Sequence, residues 1–427
     1  MRCRALALLP LGLALAGCAA TAGAPTANAS AGIPEEPLVI DAPEPLRSIL
    51  TSTPALRAAL RRAEERRIQV VLGMIETGLD GKPQLTQFAY RADAEYFYPA
   101  SSVKTFAAVA ALEGLSEIRA ESGLAIDRDT PMVYYPLFEG ESIEQEDPTH
   151  VANGKITVGH EIRKLALISD NESFNKLYEF VGQDGLARSL ARAGLTAPRI
   201  VHRLSEFRSP EENLRSPRID FVGSYFRQTI PERTAQPFAD PPPPIPGLLV
   251  GRGYLAGDRR IDEPLDFSGK NRISLADLQR GLCKLVAPPT DCGGGAPFRL
   301  DDSDRSFLLA AMRELPRQSK DPLLDPAEYP DDYGKLFLPG LRAERPRVDW
   351  TLVNKTGEAY GFLTDNAWIE NPATGRGLFL AATIYANSDG ILNDDEYDYE
   401  TVGKPFFVEL GRAVAAYLVA ADPPKNR

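Results

Sequence analysis

Histidine is scarce in this chain of 427 residues, and basic side chains are fewer than acidic ones. Its three histidines, His150, His160 and His202, are dispersed and form no HExxH or comparable metal-ligand spacing. The sequence therefore gives little support to a metal-dependent enzyme, and we expect no cofactor. Lysine and arginine number 48 against 59 aspartates and glutamates, so the net charge is −11. A surface of that charge is a poor match for phosphate groups, and we do not expect nucleic acid as a partner.

The apolar run at the amino terminus, residues 5–16, is too short to span a bilayer. It follows Arg2 and Arg4, a pattern typical of a targeting segment. Its end, Leu15-Ala16-Gly17-Cys18, resembles the lipobox of bacterial lipoproteins. The resemblance implies that residues 1–17 are removed as a signal peptide and that Cys18 is lipidated. We then expect a lipid-anchored protein of the bacterial cell envelope, held at the outer membrane and facing the periplasm.

Residues 18–45 follow, and their first part, residues 19–37, is rich in Ala, Thr, Gly and Pro and nearly free of large apolar residues. This composition predicts a flexible tether. We expect the folded domain to be residues 46–425, with an α/β part at 46–98 and 295–425 and a helical part at 99–294. Helical spacing over residues 46–65 precedes a predicted hairpin of RIQVVLGMIET and LTQFAY. Near the carboxyl end, VDWTLVNKT, LTDNAWIE and GLFLAATIYA predict three further strands, so one sheet would draw on both ends of the chain.

Residues 214–271 interrupt the helical part and contain PFADPPPPIP, which favours polyproline II conformation over packing. We expect an irregular insert that borders the site. Just after it, Ser274 and Asp277 predict the start of a helix. Cys283 and Cys292 follow, and the residues leave two alternatives open, a disulfide formed in an oxidising compartment or two free thiols.

The stretch YPASSVK, residues 98–104, places Ser101 three residues before Lys104. On a helix this spacing brings the two side chains to one face, where a lysine with a lowered pKa can activate a serine hydroxyl. The spacing alone is weak evidence, because helix capping explains serine here equally well and Ser173-x-x-Lys176 repeats the pattern. We expect Ser102 to be a helix-start residue.

Two distant tripeptides strengthen the case for Ser101. Ser169-Asp170-Asn171 lies between two helical segments, and Lys355-Thr356-Gly357 closes a predicted strand. In this order the three motifs resemble those of the penicillin-recognising serine enzymes, the class A β-lactamases and D,D-peptidases. Asn175 also matches an asparagine that class A enzymes place four residues after the second motif.

The resemblance implies an α/β plus all-α fold, with a five-stranded antiparallel sheet flanked by helices and an inserted helical subdomain. It also implies that Ser101 is acylated, with Lys104 as base or proton relay. Ser169 would pass a proton toward the leaving nitrogen, Lys355 would bias that transfer, and Asn171 would bind the substrate amide.

The third motif would form the other side of the site. The resemblance implies that Lys355 and Thr356 bind a substrate carboxylate. The backbone N–H groups of Ser101 and Glu358 would form the oxyanion hole. Gly357 would leave room for the substrate to lie along the strand edge.

The sequence departs from class A enzymes at the glutamate that activates the deacylating water. The ExxLN pattern is incomplete, and the partial match Glu211-Glu212-Asn213-Leu214 is followed by arginine. We expect Glu211 to be the base, with Glu212 and Glu206 as substitutes and a solvated acidic loop as the alternative. A second departure is Asp365, which would repel an anionic substrate if it faced the site. Then either another cation compensates or the substrate is not a standard β-lactam.

Three functions remain open at this point. The first is a monomeric class A-type serine β-lactamase that hydrolyses β-lactams or related cyclic amides. The second is a D,D-peptidase, amidase or esterase acting on cell-wall peptides with slow deacylation, which the missing ExxLN favours. The third is a non-catalytic lipoprotein that binds envelope peptides.

Overall fold

The computed structural model describes residues 38–420, of which residues 40–420 form one unit. The predicted signal peptide, Cys18 and most of the predicted tether lie outside the described residues. Among the residues that are described, no helix is both long enough and apolar enough to cross a membrane.

The described chain opens with two short helices and a hairpin. They are α1 (Leu46–Leu50), α2 (Pro54–Leu60), β1 (Gln69–Thr77) and β2 (Pro83–Tyr90). The single helix expected over residues 46–65 is therefore divided. Pro54 occupies the first turn of the second helix, where its missing N–H costs nothing, and Thr53 caps that helix by accepting a hydrogen bond from Leu56 N at 3.1 Å.

The helical part follows and carries the first two motifs. Its elements are α3 (Lys104–Ser122), β3 (Met132–Tyr134), α4 (Val158–Leu167), α5 (Asn171–Arg192) and α6 (Pro210–Asn213). A 3₁₀ turn at Ala100–Val103 leads into α3. Gly182, with φ of 73°, interrupts the helical geometry of α5.

The insert at residues 214–271 is not irregular throughout. It contains eight short strands, β4 (Arg215–Ser216), β5 (Ile219–Val222), β6 (Arg227–Ile230), β7 (Arg233–Thr234), β8 (Leu249–Val250), β9 (Gly253–Ala256), β10 (Arg259–Ile261) and β11 (Leu265–Asp266). They pair in small sheets, for example β5 with β3 and β6. Each strand has two to four residues, too few to show the alternating pattern by which strands are recognised in a sequence. The proline run, residues 241–244, lies outside these strands.

The last third returns to the main sheet. It comprises α7 (Leu275–Val286), α8 (Asp302–Arg313), α9 (Leu338–Glu344), β12 (Thr351–Ala359), β13 (Phe362–Asn371), β14 (Arg376–Tyr385), β15 (Ile391–Leu392) and α10 (Lys404–Ala420). The predicted helix start is confirmed, because Ser274 caps α7 by accepting from Asp277 N at 3.0 Å. Cys283 on α7 is joined to Cys292 by a disulfide, with 6.0 Å between the two Cα atoms. Of the two alternatives left open by the sequence, the structure therefore has the disulfide and not two free thiols.

The predicted sheet from both ends of the chain is confirmed. Its strand order is β12-β13-β14-β1-β2, and every neighbouring pair is antiparallel. Strand β12 is therefore an edge strand, and this edge packs on the 3₁₀ turn that carries Ser101. Helix α7 packs on the sheet rather than belonging to the helical part, since Gln279 donates to Val71 O at 2.9 Å and Asn366 donates to Leu278 O at 2.8 Å.

Candidate active site

Ser101 lies in the 3₁₀ turn that directly precedes α3 and packs against the edge strand β12. The residue before it, Ala100, has φ of 45°, a left-handed conformation that costs an alanine about 1–2 kcal/mol. Backbone strain of this kind persists only where the surroundings impose it, and it often accompanies functional sites. Ser101 is half-buried and lines two adjoining cavities, of about 740 and 700 Å³. Ser102 is buried, and its hydroxyl donates to Pro99 O at 2.7 Å rather than capping α3.

Gly357 fixes the position of this turn. A Cβ atom at Gly357 would lie 2.2 Å from Pro99 O and 2.9 Å from Ser102 N. Both are backbone atoms that cannot move aside alone. We expected this glycine to leave room for substrate, but the space that a side chain would need is taken by the protein. The glycine therefore allows the edge strand to approach the segment that holds Ser101.

Lys104, at the start of α3, is fully buried beneath the second motif. Its Nζ donates to Asn171 Oδ1 at 2.7 Å and to Asp170 O at 3.1 Å, and it also contacts the carbonyl of Ser169. Burial, followed by the positive charge of Lys355, lowers the pKa of Lys104 well below its usual value. A neutral amine is the form of lysine that can accept a proton from a serine.

Ser169 joins the two lysines. Its hydroxyl lies 2.8 Å from Lys355 Nζ and 3.4 Å from Lys104 Nζ. Ser169 has φ of 57°, a second non-glycine residue in the left-handed region near the site. It also lines the same 700 Å³ cavity as Ser101. The three sequence motifs are thus brought together in space, although 65 to 186 residues separate the partners of these contacts.

Asp365 does not face the cavities lined by Ser101. It is fully buried behind the third motif, where it accepts from Asn354 Nδ2 at 2.8 Å and from Leu336 N at 3.1 Å. Repulsion of an anionic substrate by an exposed carboxylate therefore does not arise. Burial raises the pKa of Asp365 to about 6.

Lys335, which no motif marks, completes this buried network. Its Nζ donates to Asn354 Oδ1 at 2.9 Å. Burial lowers the pKa of Lys335 to about 8 and the pKa of Lys355 to about 7. The negative charge of Asp365 opposes the lowering at Lys355, whereas the positive charge of Lys335 adds to it.

Two asparagines tie the second motif to the loop that was expected to supply the deacylating base. Asn171 donates to Ser205 Oγ at 2.7 Å. Asn175 accepts from Leu204 N at 2.9 Å and donates to Leu204 O at 3.0 Å, which fixes that backbone. Asn175 therefore holds the loop in place, and it is not among the residues that line the two Ser101 cavities.

The three candidate bases of this loop, Glu206, Glu211 and Glu212, differ in their contacts and in whether they line a cavity with Ser101. Glu211 is exposed and accepts from Ser209 Oγ at 2.9 Å, while Glu212 accepts from Ser209 N at 2.7 Å to cap α6. Neither lines a cavity with Ser101. Glu206 does line the 740 Å³ cavity, accepts from Asn175 Nδ2 at 3.3 Å, and pairs with Arg208 Nε at 2.5 Å. The substitute Glu206 is thus better placed than the preferred Glu211.

Further side chains border the cavities. Glu358 lines both, Thr356 lines one with Lys404, and Lys270 lines the other beside Tyr360. The Lys270 Nζ lies 5.8 Å from the centre of the Tyr360 ring. Each of the two lysines lines a cavity with Ser101 and lies in no motif of the sequence, and Lys404 pairs with Glu400.

His202 lines the same cavity as Lys270, but its ring is held by structural contacts. Its Nε2 accepts from Asn271 N at 3.1 Å and its Nδ1 donates to Arg203 O. Both ring nitrogens are therefore occupied, and burial lowers the pKa of His202 to about 4.

Residues 55–223 match the model of a family described as the β-lactamase enzyme family. The match spans less than half of the chain, and it includes Ser101, Lys104 and Ser169 but ends before Lys355. No curated protein matches the chain by sequence.

Solved structures give further matches. A β-lactamase from Xanthomonas campestris is 20% identical, with a TM-score of 0.46 over 85% of this chain and 97% of that chain. One from Burkholderia vietnamiensis is 17% identical, with a TM-score of 0.44 over 87% and 98%. One from Sphaerobacter thermophilus is 15% identical, with a TM-score of 0.46 over 88% and 98%. The family match, together with the antiparallel sheet and the clustered motifs, supports a serine β-lactamase-like hydrolase of the β-lactamase/transpeptidase superfamily.

Proposed function

We propose that this protein is a serine hydrolase of the class A β-lactamase type that opens a β-lactam or related cyclic amide through an acyl-Ser101 intermediate. The observation that carries the proposal is the hydroxyl of Ser169, which both Lys104 and Lys355 approach beside Ser101. A lysine of lowered pKa next to a serine is the arrangement that activates a hydroxyl without histidine.

In the acylation step, Ser101 Oγ attacks the amide carbonyl and its proton passes to the neutral Lys104. The Oγ–carbonyl bond forms and the C–N bond breaks. Ser169 delivers a proton to the leaving nitrogen and takes one from the protonated Lys104, so that the lysine is neutral again when the acyl-enzyme has formed. The cationic Lys355 donates to Ser169 and, with Thr356, attracts the substrate carboxylate. The backbone N–H groups of Ser101 and Glu358 stabilise the oxyanion.

Deacylation needs a base for water, and of the three loop carboxylates Glu206, Glu211 and Glu212 it is Glu206 that lines a cavity with Ser101. Its pairing with Arg208 Nε at 2.5 Å holds the carboxylate in place. This pairing favours a second candidate function, a D,D-peptidase, amidase or esterase that acylates readily and deacylates slowly.

Hydrolysis of a chromogenic cephalosporin tests the first function. We expect turnover by the wild type and none by Ser101→Ala. If the wild type does not exceed that control, while a fluorescent penicillin labels it stably, the second function is supported instead.

We also propose that lipid on Cys18 anchors the protein in the bacterial envelope, facing the periplasm at the outer membrane, as a monomer. The targeting segment and the resemblance of residues 15–18 to a lipobox support this. Incorporation of labelled palmitate in a bacterial host, lost in Cys18→Ser, is the expected result. Equal release of both variants into the soluble fraction would contradict the anchor, and sedimentation of the purified chain tests the monomer.

A further inference from the structure

A second polar cluster lies outside the cavities lined by Ser101, where the helical part meets the segment between α8 and α9. It consists of His150 in the loop before α4, His160 in the first turn of α4, and Asp321 in the segment between α8 and α9. One ring nitrogen of each histidine and a carboxylate oxygen lie within 4.8 Å of one another. The two imidazole rings are stacked, with 4.3 Å between their centres.

The hydrogen bonds of His150 decide which of its nitrogens is free. Its Nδ1 lies 2.7 Å from the carbonyl oxygen of Lys155. A carbonyl can only accept, so Nδ1 carries the proton and Nε2 of the neutral ring has a lone pair. That Nε2 lies 3.5 Å from Asp321 Oδ2.

The same reasoning applies to His160, whose side chain is almost completely buried. The Thr149 hydroxyl donates its proton to Asp147 Oδ1 at 2.6 Å. His160 Nε2, at 2.9 Å from Thr149 Oγ1, must therefore be the donor of that contact. The lone pair is left on Nδ1, which is buried and has no hydrogen-bond partner within the described residues. This Nδ1 faces Asp321 Oδ1 at 3.3 Å, without the alignment of a hydrogen bond.

A buried nitrogen without a partner is costly, and two lone pairs that converge on one carboxylate need a cation rather than a hydrogen bond. The nearby cations are already paired, Arg163 with Glu314 at 2.8 Å and Lys164 with Asp147.

We propose that His150 Nε2, His160 Nδ1 and the carboxylate of Asp321 bind a divalent transition-metal ion, with Zn²⁺ the best match. Zinc holds nitrogen and oxygen ligands at about 2.0–2.2 Å in tetrahedral geometry, so neighbouring ligand atoms lie roughly 3.3–3.6 Å apart. The separations of 3.3 Å from His160 Nδ1 to Asp321 Oδ1 and of 3.5 Å from His150 Nε2 to Asp321 Oδ2 lie in that range, with each histidine facing a different carboxylate oxygen. Water would take the fourth position on the side where Asp321 is 24% exposed.

The surroundings have the features of a metal site beyond its ligands. Lys155 O and Thr149 Oγ1 each accept from the second nitrogen of a ligating histidine, which fixes the ring orientation. Asp321 also accepts from Val151 N at 3.0 Å, so its carboxylate is already held against the histidine loop. The ion would clamp the loop and the first turn of α4 to the segment before α9. Because the other end of α4 leads into Ser169, the clamp would support the second motif, and it takes no part in the proposed reaction.

Zinc titration by isothermal calorimetry tests this site on the full chain, freed of metal by chelation and carrying no histidine tag. Cobalt(II) absorption in the visible range identifies tetrahedral coordination. Thermal melting measures how much the bound ion stabilises the chain by joining these segments. We expect one ion bound per chain at this site and a melting temperature that rises with zinc. His160→Gln should weaken binding at this site by about 100-fold because it removes a ligand. Thr149→Val should weaken it by about 10-fold, because it keeps all three ligands and removes the hydroxyl that accepts from His160 and donates to Asp147.

The chain supplies a matched control in His202, its remaining histidine, so His202→Gln should bind zinc like the wild type. If His160→Gln fails to fold, as circular dichroism will show, His150→Gln and Asp321→Asn carry the same prediction from positions that are more exposed. Zinc binding that is unchanged in the ligand variants, or equally lost in His202→Gln, would overturn the proposal. Failure of the wild type to bind zinc or cobalt would do the same.

Discussion

Lys355 donates a hydrogen bond of 2.8 Å to the hydroxyl of Ser169, a residue that the chain places 186 positions earlier. The same hydroxyl lies 3.4 Å from Lys104 Nζ, so one serine is shared between two buried lysines. Two buried ammonium groups that contact one hydroxyl repel each other more strongly than two exposed ones, because burial weakens the screening by water. The arrangement therefore favours one neutral and one charged lysine, which is what transfer of a proton through Ser169 requires.

The first prediction concerns Lys104. Replacement by methionine removes the base and should slow acylation by about 10²–10⁴-fold, the usual contribution of general acid–base catalysis. The rate of labelling by a fluorescent penicillin measures this step directly.

Lys176 offers a matched control, because Ser173-x-x-Lys176 repeats the spacing of the first motif. Its ammonium pairs with Glu144 at 2.8 Å and also contacts Glu172, which raises its pKa and keeps it charged. Lys176→Met should be labelled at close to the wild-type rate. Equal losses in the two variants would mean that the Lys104 effect is one of folding.

The second prediction concerns pH. Ser169 and the substrate carboxylate need a cationic Lys355, whose pKa is lowered to about 7 by burial. The value of kcat/KM reports the free enzyme, so it should fall as the pH rises through about 7. A pH profile of β-lactam turnover, or of labelling, gives the midpoint.

Two buried neighbours should move that midpoint in opposite directions. Asp365→Asn removes a negative charge that favours protonated Lys355, so the midpoint should shift to lower pH. Lys335→Met removes a positive charge that disfavours it, so the midpoint should shift to higher pH. Shifts of the same sign in both variants would show that Lys355 does not control this part of the profile.

The third prediction separates the candidate deacylating bases. Glu206→Gln should lengthen the lifetime of the acyl-enzyme, because Glu206 lines the cavity with Ser101. Glu211→Gln is its control, since that carboxylate is exposed and only accepts from Ser209. The decay of bound label over time measures both. A longer lifetime in Glu211→Gln alone would restore the expectation drawn from the sequence.

The fourth prediction concerns Gly357. Alanine there would place Cβ 2.2 Å from Pro99 O, so the free energy of unfolding should fall by about 1–3 kcal/mol, and labelling of Ser101 should slow. Gly114 in α3 provides the comparison, because a Cβ there meets only Phe180 at 3.5 Å. Gly114→Ala should leave the stability unchanged or raise it by about 0.5–1 kcal/mol, as alanine favours a helix. Denaturant unfolding of both variants decides the matter.

Much of the main architecture could be predicted from the sequence. The hairpin β1–β2 and the strands β12 to β14 have long apolar patterns, and Ser274 caps α7 as its spacing indicates. The short strands of the insert could not be predicted, because their pairing depends on distant partners rather than on local periodicity.

In the candidate site, too, some residues could be predicted from the sequence and others only from the fold. Ser101, Lys104, Ser169 and Lys355 could be selected because they lie in ordered motifs. Burial of Asp365 could not be foreseen, since its partner Asn354 lies on the neighbouring strand and Lys335 lies in no motif. Glu206 could not be preferred over Glu211, because only the folded loop shows which carboxylate lines the cavity.

The cluster of His150, His160 and Asp321 is the clearest example of a feature that the sequence alone could not predict. Two of its members are ten residues apart and the third is far along the chain, so no metal-ligand spacing exists to be recognised. Only the fold brings their ligand atoms within 4.8 Å.

Acylation of Ser101 is the central claim, and mass spectrometry after brief exposure to a penicillin tests it most directly. The account predicts a mass increase equal to one intact penicillin, carried by the peptide that contains Ser101 and absent in Ser101→Ala. A wild-type chain that gains no such mass at any time, or that carries it on a peptide without Ser101, would contradict the account.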